Sequence, residues 1–287
     1  MVEGQEGVSW DQWVALAEAC EQHGIEAMFR SDHYLSLAAP RERVATDAWT
    51  LLGALAARTE KLRLGTLVSP VTFRHPSVVT KAAATVDHVS CGRVDVGMGA
   101  GWNVPEHEAF GFPFPETSER VRILAEHVER VDHLLREDPL TVQQPRPPLI
   151  IGGAARSGTT APAARFADEY NTVGVDPAEA ARRRKRLDEA CEREGRDPAT
   201  LRFSLMTPFV LDRDHAQRFV ERFPRAGSAD EWFDELARRG LAGDLVAGLR
   251  EFEAAGVERV MLQHVVHDDL DIVAAIGREL APALARA

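Results

Sequence analysis

Apolar positions along this chain alternate between helical and strand spacing. Trp10, Trp13, Val14, Ala17 and Cys20 recur on one helical face from Ser9 onward, and Gly24 stands where such a helix would stop. Residues 25–30 follow at once as a short buried strand. The exchange then repeats, with helices predicted over 47–58, 77–89, 118–136, 161–167, 177–194, 245–255 and 272–284. Strands are predicted over 62–68, 93–97, 149–151, 171–175, 201–211 and 257–263. The span 118–136 has the clearest period, since Val121, Leu124, Ala125, Val128, Val131, Leu134 and Leu135 share one face. Between 212 and 244 the pattern is mixed.

Strands separated by helices imply parallel pairing and βαβ units. The length suits a single (β/α)8 TIM barrel occupying residues 1–287 as one domain. Seven strands are evident, and closure needs an eighth before the first helix. Only residues 1–3 stand there, so the first strand is truncated in this chain or completed by residues beyond it.

Composition narrows the partners. Lys+Arg 34 against Asp+Glu 45 gives a net charge of −11, which repels polyanions and argues against nucleic acid. No apolar run approaches a membrane span. The cysteines, Cys20, Cys91 and Cys191, are odd in number and form no Cys-x-x-Cys pair, as expected of a reducing, cytoplasmic setting. Basic residues are nearly all arginine, with Lys61, Lys81 and Lys185 the exceptions.

Candidate chemistry gathers at predicted strand ends, where parallel α/β folds present it. Ser31-Asp32-His33-Tyr34 closes the strand 25–30, making His33 a candidate general acid/base or a donor to a cofactor oxygen. Gly97-Met98-Gly99-Ala100-Gly101 also follows a strand. Residues 102–115 read as a Pro- and aromatic-rich loop instead of the helix a dinucleotide fingerprint requires. The glycines therefore suit a flat ring approaching the backbone, with Trp102, Asn103, Glu106 and His107 around it. The stretch from Gly152 to Thr160 offers amides, hydroxyls and one guanidinium between strand and helix, as a phosphate site or as an unliganded flexible loop. His264, His267, Asp268 and Asp269 lack the spacing of a zinc motif, so no metal site is expected. The basic run 182–186 reads as a solvated helix face. Ser31, Ser69 and Ser157 have no Gly-x-Ser-x-Gly elbow.

Taken in order, Ser31-Asp32-His33, the stretch from Leu64 to Pro76, the turn from Gly97 to Asn103, and Gly152-Gly153 with Arg165-Phe166-Ala167-Asp168 resemble the bacterial luciferase-like flavin and deazaflavin oxidoreductases. The likeness covers nearly the whole chain. Residues around Glu106-His107 and from Gly111 to Pro115 resemble the branch that uses the deazaflavin coenzyme F420. The resemblance implies a TIM barrel with the cofactor ring across its C-terminal mouth, a small-molecule substrate and a homodimer. It places Asp32 and His33 at the ring's polar edge, and Thr66, Leu67, Val68 and Ser69 in a bulge behind it. Members often hold a non-proline cis peptide in that bulge, here at 67–68 or 68–69. Gly101, Trp102 and Asn103 would line the ring, and Gly152, Gly153, Ala154, Gly158 and Thr159 would surround its phosphate. His33, Trp102 and Glu106 would shape the reacting pocket.

The function implied is hydride transfer between F420 and an organic substrate. An FMN-dependent monooxygenase and a non-catalytic flavin- or deazaflavin-binding protein are the alternatives. Family members acting on sugar phosphates usually carry a carboxylate where Trp102 stands, which sets that substrate class apart. Relative to the family, the connector 137–148 is short and the segment around Gly243-Asp244 is compressed. Loops 35–43 and 106–115 would set the substrate.

Overall fold

The computed structural model describes residues 1–38, 43–224 and 227–285. Its centre is a parallel sheet of β1 (Ala27–Arg30), β2 (Arg63–Thr66), β3 (Ser69–Pro70), β4 (Val94–Gly99), β5 (Leu149–Gly152), β6 (Glu169–Val173), β7 (Arg202–Pro208) and β8 (Arg259–Gln263). Seven of these pair in the order β1-β2-β4-β5-β6-β7-β8, and the two-residue β3 adds to the C-terminal end of β4. Pairing is parallel throughout, as in Met28 opposite Leu64 and Met206 opposite Met261. The first strand is reduced to Val2, bridged in parallel to Arg30 on one side and to His264 on the other. Its amide donates to the Phe29 carbonyl at 2.9 Å, and the His264 amide donates to the Met1 carbonyl at 2.8 Å. One bridging residue thus draws the two edges of the sheet together near the rim, giving a TIM-barrel-like architecture.

Helices run outside this sheet: α1 (Trp10–Gln22), α2 (Ala48–Ala56), α3 (Pro76–Val89), α4 (Val104–Phe110), α5 (Thr117–Glu137), α6 (Ser157–Phe166), α7 (Pro177–Arg193), α8 (Arg213–Arg222), α9 (Ala229–Arg238), α10 (Leu245–Ala254) and α11 (Leu270–Ala275). A π turn (Ile276–Leu280) and α12 (Ala281–Leu284) continue from α11. Starts follow the local chemistry: Ser9 and Gln12 form a reciprocal capping box on α1, and Pro76 occupies the first turn of α3.

Four expectations change. Residues 102–115 are not all loop, because Asn103-Val104-Pro105 opens α4, with proline in the first turn and Gly111 (φ +68°) ending it. The mixed segment contains α8 and α9, whose short amphipathic faces lie between loops. Helix α6 begins at Ser157, four residues earlier than its apolar pattern suggests. The run 182–186 is solvated only in part, since Arg183 reaches the Thr172 hydroxyl and Arg184 donates to the carbonyls of Leu201 (2.9 Å) and Pro198 (2.8 Å).

Two apolar layers result. Outward-facing strand residues such as Leu64, Val94, Val96 and Ile151 meet the helices in the main core. Inside the barrel a separate cluster of Phe29, Leu67, Ile150 and Met261 fills the axis, each side chain contributing about 2 kcal/mol by leaving water. Below it Arg259 pairs with Glu169 (3.1 Å) and Asp95 (3.3 Å) and lies over the Phe29 ring. Parallel barrels present their ligands at the opposite, C-terminal rim.

Candidate active site

At that rim β1 ends in Arg30, and the chain turns through Ser31 to Tyr34. His33 Nδ1 lies 2.8 Å from Glu106 Oε2. Glu106 projects from the first turn of α4 and is wholly buried. Its other oxygen accepts from the amides of Tyr34 and Leu35, and Asn103 Nδ2 donates to Oε2 at 3.3 Å. Burial would lower the His33 pKa, but the hydrogen bond and charge of Glu106 outweigh it and raise the pKa above the usual value. Burial likewise would raise Glu106, yet the bond from His33 and the two amides lower it. Both shifts favour the imidazolium–carboxylate form of the pair. His33 Nε2 has no partner among the described residues, and the ring stands edge-on to Trp102 at 5.6 Å. Trp102 itself is 60% exposed.

Behind this pair lies the bulge 67–69, in which the Leu67–Val68 peptide is cis, the first of the two positions implied by the family resemblance. The strand glycines serve the bulge. A Cβ on Gly97 would stand 2.0 Å from the Thr66 carbonyl oxygen, one on Gly99 2.5 Å from a Val68 methyl, and one on Gly152 3.1 Å from each of the two Val68 methyls. The expected open cradle for a flat ring is therefore filled at Gly97 and Gly99 by the protein's own backbone and by Val68. Val68 becomes the surface at the centre of the mouth.

Asp32 is buried under the rim. It accepts from Ser69 Oγ at 2.6 Å and from Arg74 Nη1 at 2.5 Å, while Arg74 also holds Asp47 at 2.5 Å and the Tyr34 hydroxyl at 2.6 Å. Trp49 Nε1 donates to Ser69 Oγ at 3.1 Å. This lattice fixes the bulge and the turn carrying His33 against each other. His107 is tied down separately, with Nδ1 donating to the Asn103 carbonyl (2.7 Å) and Nε2 accepting from Thr72 Oγ1 (2.6 Å).

Across the mouth, the loop from Gly152 leads into α6. Arg156 occupies the N-cap without a side-chain bond, so the first-turn amides of Ser157 and Gly158 stay open. The loop is held from below by Tyr170, which is fully buried on β6. Its hydroxyl accepts from the Ala155 amide at 2.8 Å and meets Thr159 Oγ1 at 2.7 Å, and Thr159 Oγ1 donates to the Arg156 carbonyl at 3.1 Å. Ala155 has φ +50°, a left-handed conformation in the loop. Gly158 also has a packing reason, since a Cβ there would stand 2.4 Å from Val121 of α5. Ala154 is exposed beside these amides, while Gly153 lies over the Tyr170 hydroxyl.

The structure thus brings His33, Trp102, Asn103 and Glu106 together, sets Thr66 to Ser69 between them and the Gly152–Thr159 loop, and leaves Asp32 engaged below. His264, at the C-terminal end of β8, and His267 lie buried beside each other with ring centroids 6.4 Å apart. Among the described residues no three His, Cys, Asp or Glu side chains converge as metal ligands. Residues 39–42 of the loop expected to set the substrate lie outside the described residues. The site roles of Arg74, Asp47 and Tyr170 carried no sequence signal. Arg74 and Asp32 are 42 positions apart, and nothing local links them.

A profile of the luciferase-like monooxygenase family matches residues 2–280. The chain belongs to that family. Relatives of this luciferase-like chain include an uncharacterized protein of Mycobacterium tuberculosis, 28% identical over 193 residues, which are 56% of this chain and 67% of that one. Another is the F420-dependent glucose-6-phosphate dehydrogenase of Nakamurella multipartita, 34% identical over 174 residues, covering 55% of this chain but only half of that protein. Among solved structures, an F420-dependent secondary alcohol dehydrogenase bound to an F420–acetone adduct superposes with TM-score 0.77, 20% identity and 94% of both chains covered. The oxygenating component of 3,6-diketocamphane monooxygenase of Pseudomonas putida, in complex with FMN, superposes with TM-score 0.73, 16% identity and 96% and 94% covered. At those identities the structural likeness carries the luciferase-like fold alone. No helix of the described residues is long and apolar enough to cross a membrane.

Proposed function

We propose that this chain is an F420-dependent oxidoreductase that moves a hydride between the deazaflavin and an organic substrate. The observation that carries the proposal is the His33–Glu106 pair at the rim, opposite an uncapped helix start. The residues present suit a ring with an anionic tail. The open amides at the start of α6, with exposed Arg156 beside them, match a phosphate in charge and donor geometry. Val68 and the glycine-backed bulge form an apolar seat beside them. Gly101, Trp102 and Asn103 would flank the ring, and Gly153, Ala154, Gly158 and Thr159 would surround the tail. The relatives named as F420-dependent favour the deazaflavin.

When bound, the cofactor supplies the two-electron hydride chemistry. His33 supplies the proton. Glu106 holds Nδ1, which fixes the ring and favours the protonated imidazole, so Nε2 is the atom that donates to a substrate oxygen as hydride reaches the adjacent carbon. Glu106 acts through His33 and is a positioning residue. Trp102 covers the exposed side of the imidazole and excludes water from it. The assembled state proposed is a homodimer in the cytoplasm.

The alternative with specific support is a monooxygenase using reduced FMN, since an FMN complex shares the fold. Titration of the purified chain with F420 and with reduced FMN, followed by absorbance and oxygen uptake, separates them. Saturable F420 binding with substrate-dependent loss of the reduced cofactor supports the proposal. Tight reduced-FMN binding with oxygen consumption and no response to F420 overturns it. Binding without turnover over a broad substrate panel supports a non-catalytic protein instead.

A further inference from the structure

We infer that the substrate is an uncharged carbonyl compound with an apolar body, or the corresponding alcohol, and not a phosphorylated sugar. This rests on the hydride-transfer proposal above and names the substrate class of the same site. The wall beside His33 is built by residues 31–38, 43–47, 69–75 and 100–120. Among the described residues these segments carry three guanidiniums and no lysine. Arg74 is enclosed by Asp32, Asp47 and the Tyr34 hydroxyl. Arg120 is covered by the Phe114 ring at 3.9 Å and donates to the carbonyls of Gly101 and Pro115. Arg43 is held by Glu6 at 2.8 Å and by the Arg222 carbonyl at 3.1 Å. Among the described residues no arginine or lysine of this wall is left to receive a substrate phosphate. The open charges there, Glu108 and Glu116, are acidic and would repel one.

What the wall does expose is apolar. Trp102 touches the His33 ring edge-on, and Phe110, half exposed, continues a stack through Tyr34 (5.2 Å) to Phe73 (5.1 Å). Tyr34 is the neighbour of His33, so one ring surface begins at the proton donor and runs outward from it. Such a wall gains affinity from apolar area. In the reduction direction the hydride forms the new C–H bond at the carbonyl carbon, the C=O pair moves to oxygen, and His33 Nε2 gives that oxygen its proton. Oxidation of the alcohol reverses each transfer. The named relatives that act on glucose 6-phosphate do not determine the substrate here.

The test uses the straight-chain 2-alkanones from 2-butanone to 2-heptanone and glucose 6-phosphate. Binding to the cofactor-free protein is read from the fluorescence of Trp102, isolated by subtracting the Trp102→Phe variant. Turnover is read from F420 absorbance in the loaded protein. Affinity and kcat/KM are expected to rise about fourfold per methylene, with no saturable response to glucose 6-phosphate. A flat ketone series, an absence of ketone binding or turnover, or saturable glucose 6-phosphate oxidation overturns the inference. Trp102 fluorescence that follows protein concentration and ignores ketone also overturns it, because the wall is then an interface between copies. Ketone binding with the expected trend but no F420 binding overturns the cofactor proposal while leaving the apolar specificity standing.

Discussion

Replacing Glu106 with glutamine keeps the shape of the side chain and removes its charge. At the 2.8 Å separation from His33, unit charges in an effective dielectric of about 20 attract by about 6 kcal/mol. Desolvation of the pair cancels part of this, and removing one partner of a buried pair typically costs about 3–5 kcal/mol. Taking about 3 kcal/mol, with an unfolding entropy of about 0.6 kcal/mol/K for a chain of this size, Tm should fall by about 5 °C. The pH dependence should change more distinctively. In the native pair His33 is raised and Glu106 lowered. The His33 contribution is full below its unfolded pKa near 6.5 and is lost as pH rises through its folded value. The Glu106 contribution is full above its unfolded value and is lost as pH falls through its folded one. In Glu106→Gln both limbs vanish, and burial, opposed only by the charges of Glu3 and Asp32, should move the His33 pKa below 6.5. Titration of His33 by NMR with labelled histidine, alongside thermal unfolding from pH 5 to 9, measures both effects. The alkaline limb of kcat should move to lower pH, with KM changed by less than about twofold. A His33 pKa that stays above 6.5 in the variant refutes the assignment of Glu106 as its positioning residue.

Three further outcomes are expected. Gly97→Ala sets a Cβ 2.0 Å from the Thr66 carbonyl oxygen; since backbone cannot swing aside, a loss of about 3 kcal/mol or more is expected in urea unfolding, whereas an unchanged midpoint would deny the close contact. Tyr170→Phe orphans the buried Ala155 amide, costing about 1–3 kcal/mol. It should weaken F420 binding roughly tenfold if about 1.4 kcal/mol of that appears at the loop. Affinity for a deazaflavin lacking the phosphate should not move, and equal weakening of both would show Tyr170 to be merely structural. His264 and His267 are buried with no hydrogen-bond partner on either ring's nitrogens among the described residues. Burial lowers His264 to about 3 and His267 well below its usual value. Unfolding lets both take up protons, so stability is full above pH 6.5 and falls below it, by about 3 kcal/mol for the two at pH 5.5. His264→Leu should flatten the urea midpoint between pH 7.5 and 5.5, and an equally steep decline would contradict it.

Much of the architecture was legible because parallel barrels write themselves locally. The apolar period marked α5 almost to its ends, and seven strands announced themselves as short apolar runs. Ser31 to Tyr34 and the Gly152 loop stood out because their polar and glycine residues interrupt that pattern at strand ends. Helix α4 was less visible, since seven residues with one proline and few inward apolar positions give a weak period. Helices α8 and α9 lay hidden in a charged stretch for the same reason.

What the chain could not announce by itself were partnerships across long separations. His33 is locally a histidine beside an aspartate, and sequence pairs it with Asp32. In the fold Asp32 turns down to Arg74 and Ser69, and Glu106, 73 positions away, supplies the charge that raises the imidazole. The glycines of β4 read as an open cradle because sequence reports a missing side chain. Only packing reveals that Val68 and the Thr66 carbonyl occupy the space. Periodicity and turn chemistry act over a few residues and so survive in sequence. Charge partners, occupied volume and the closing bridge at Val2 depend on which segments the barrel brings side by side.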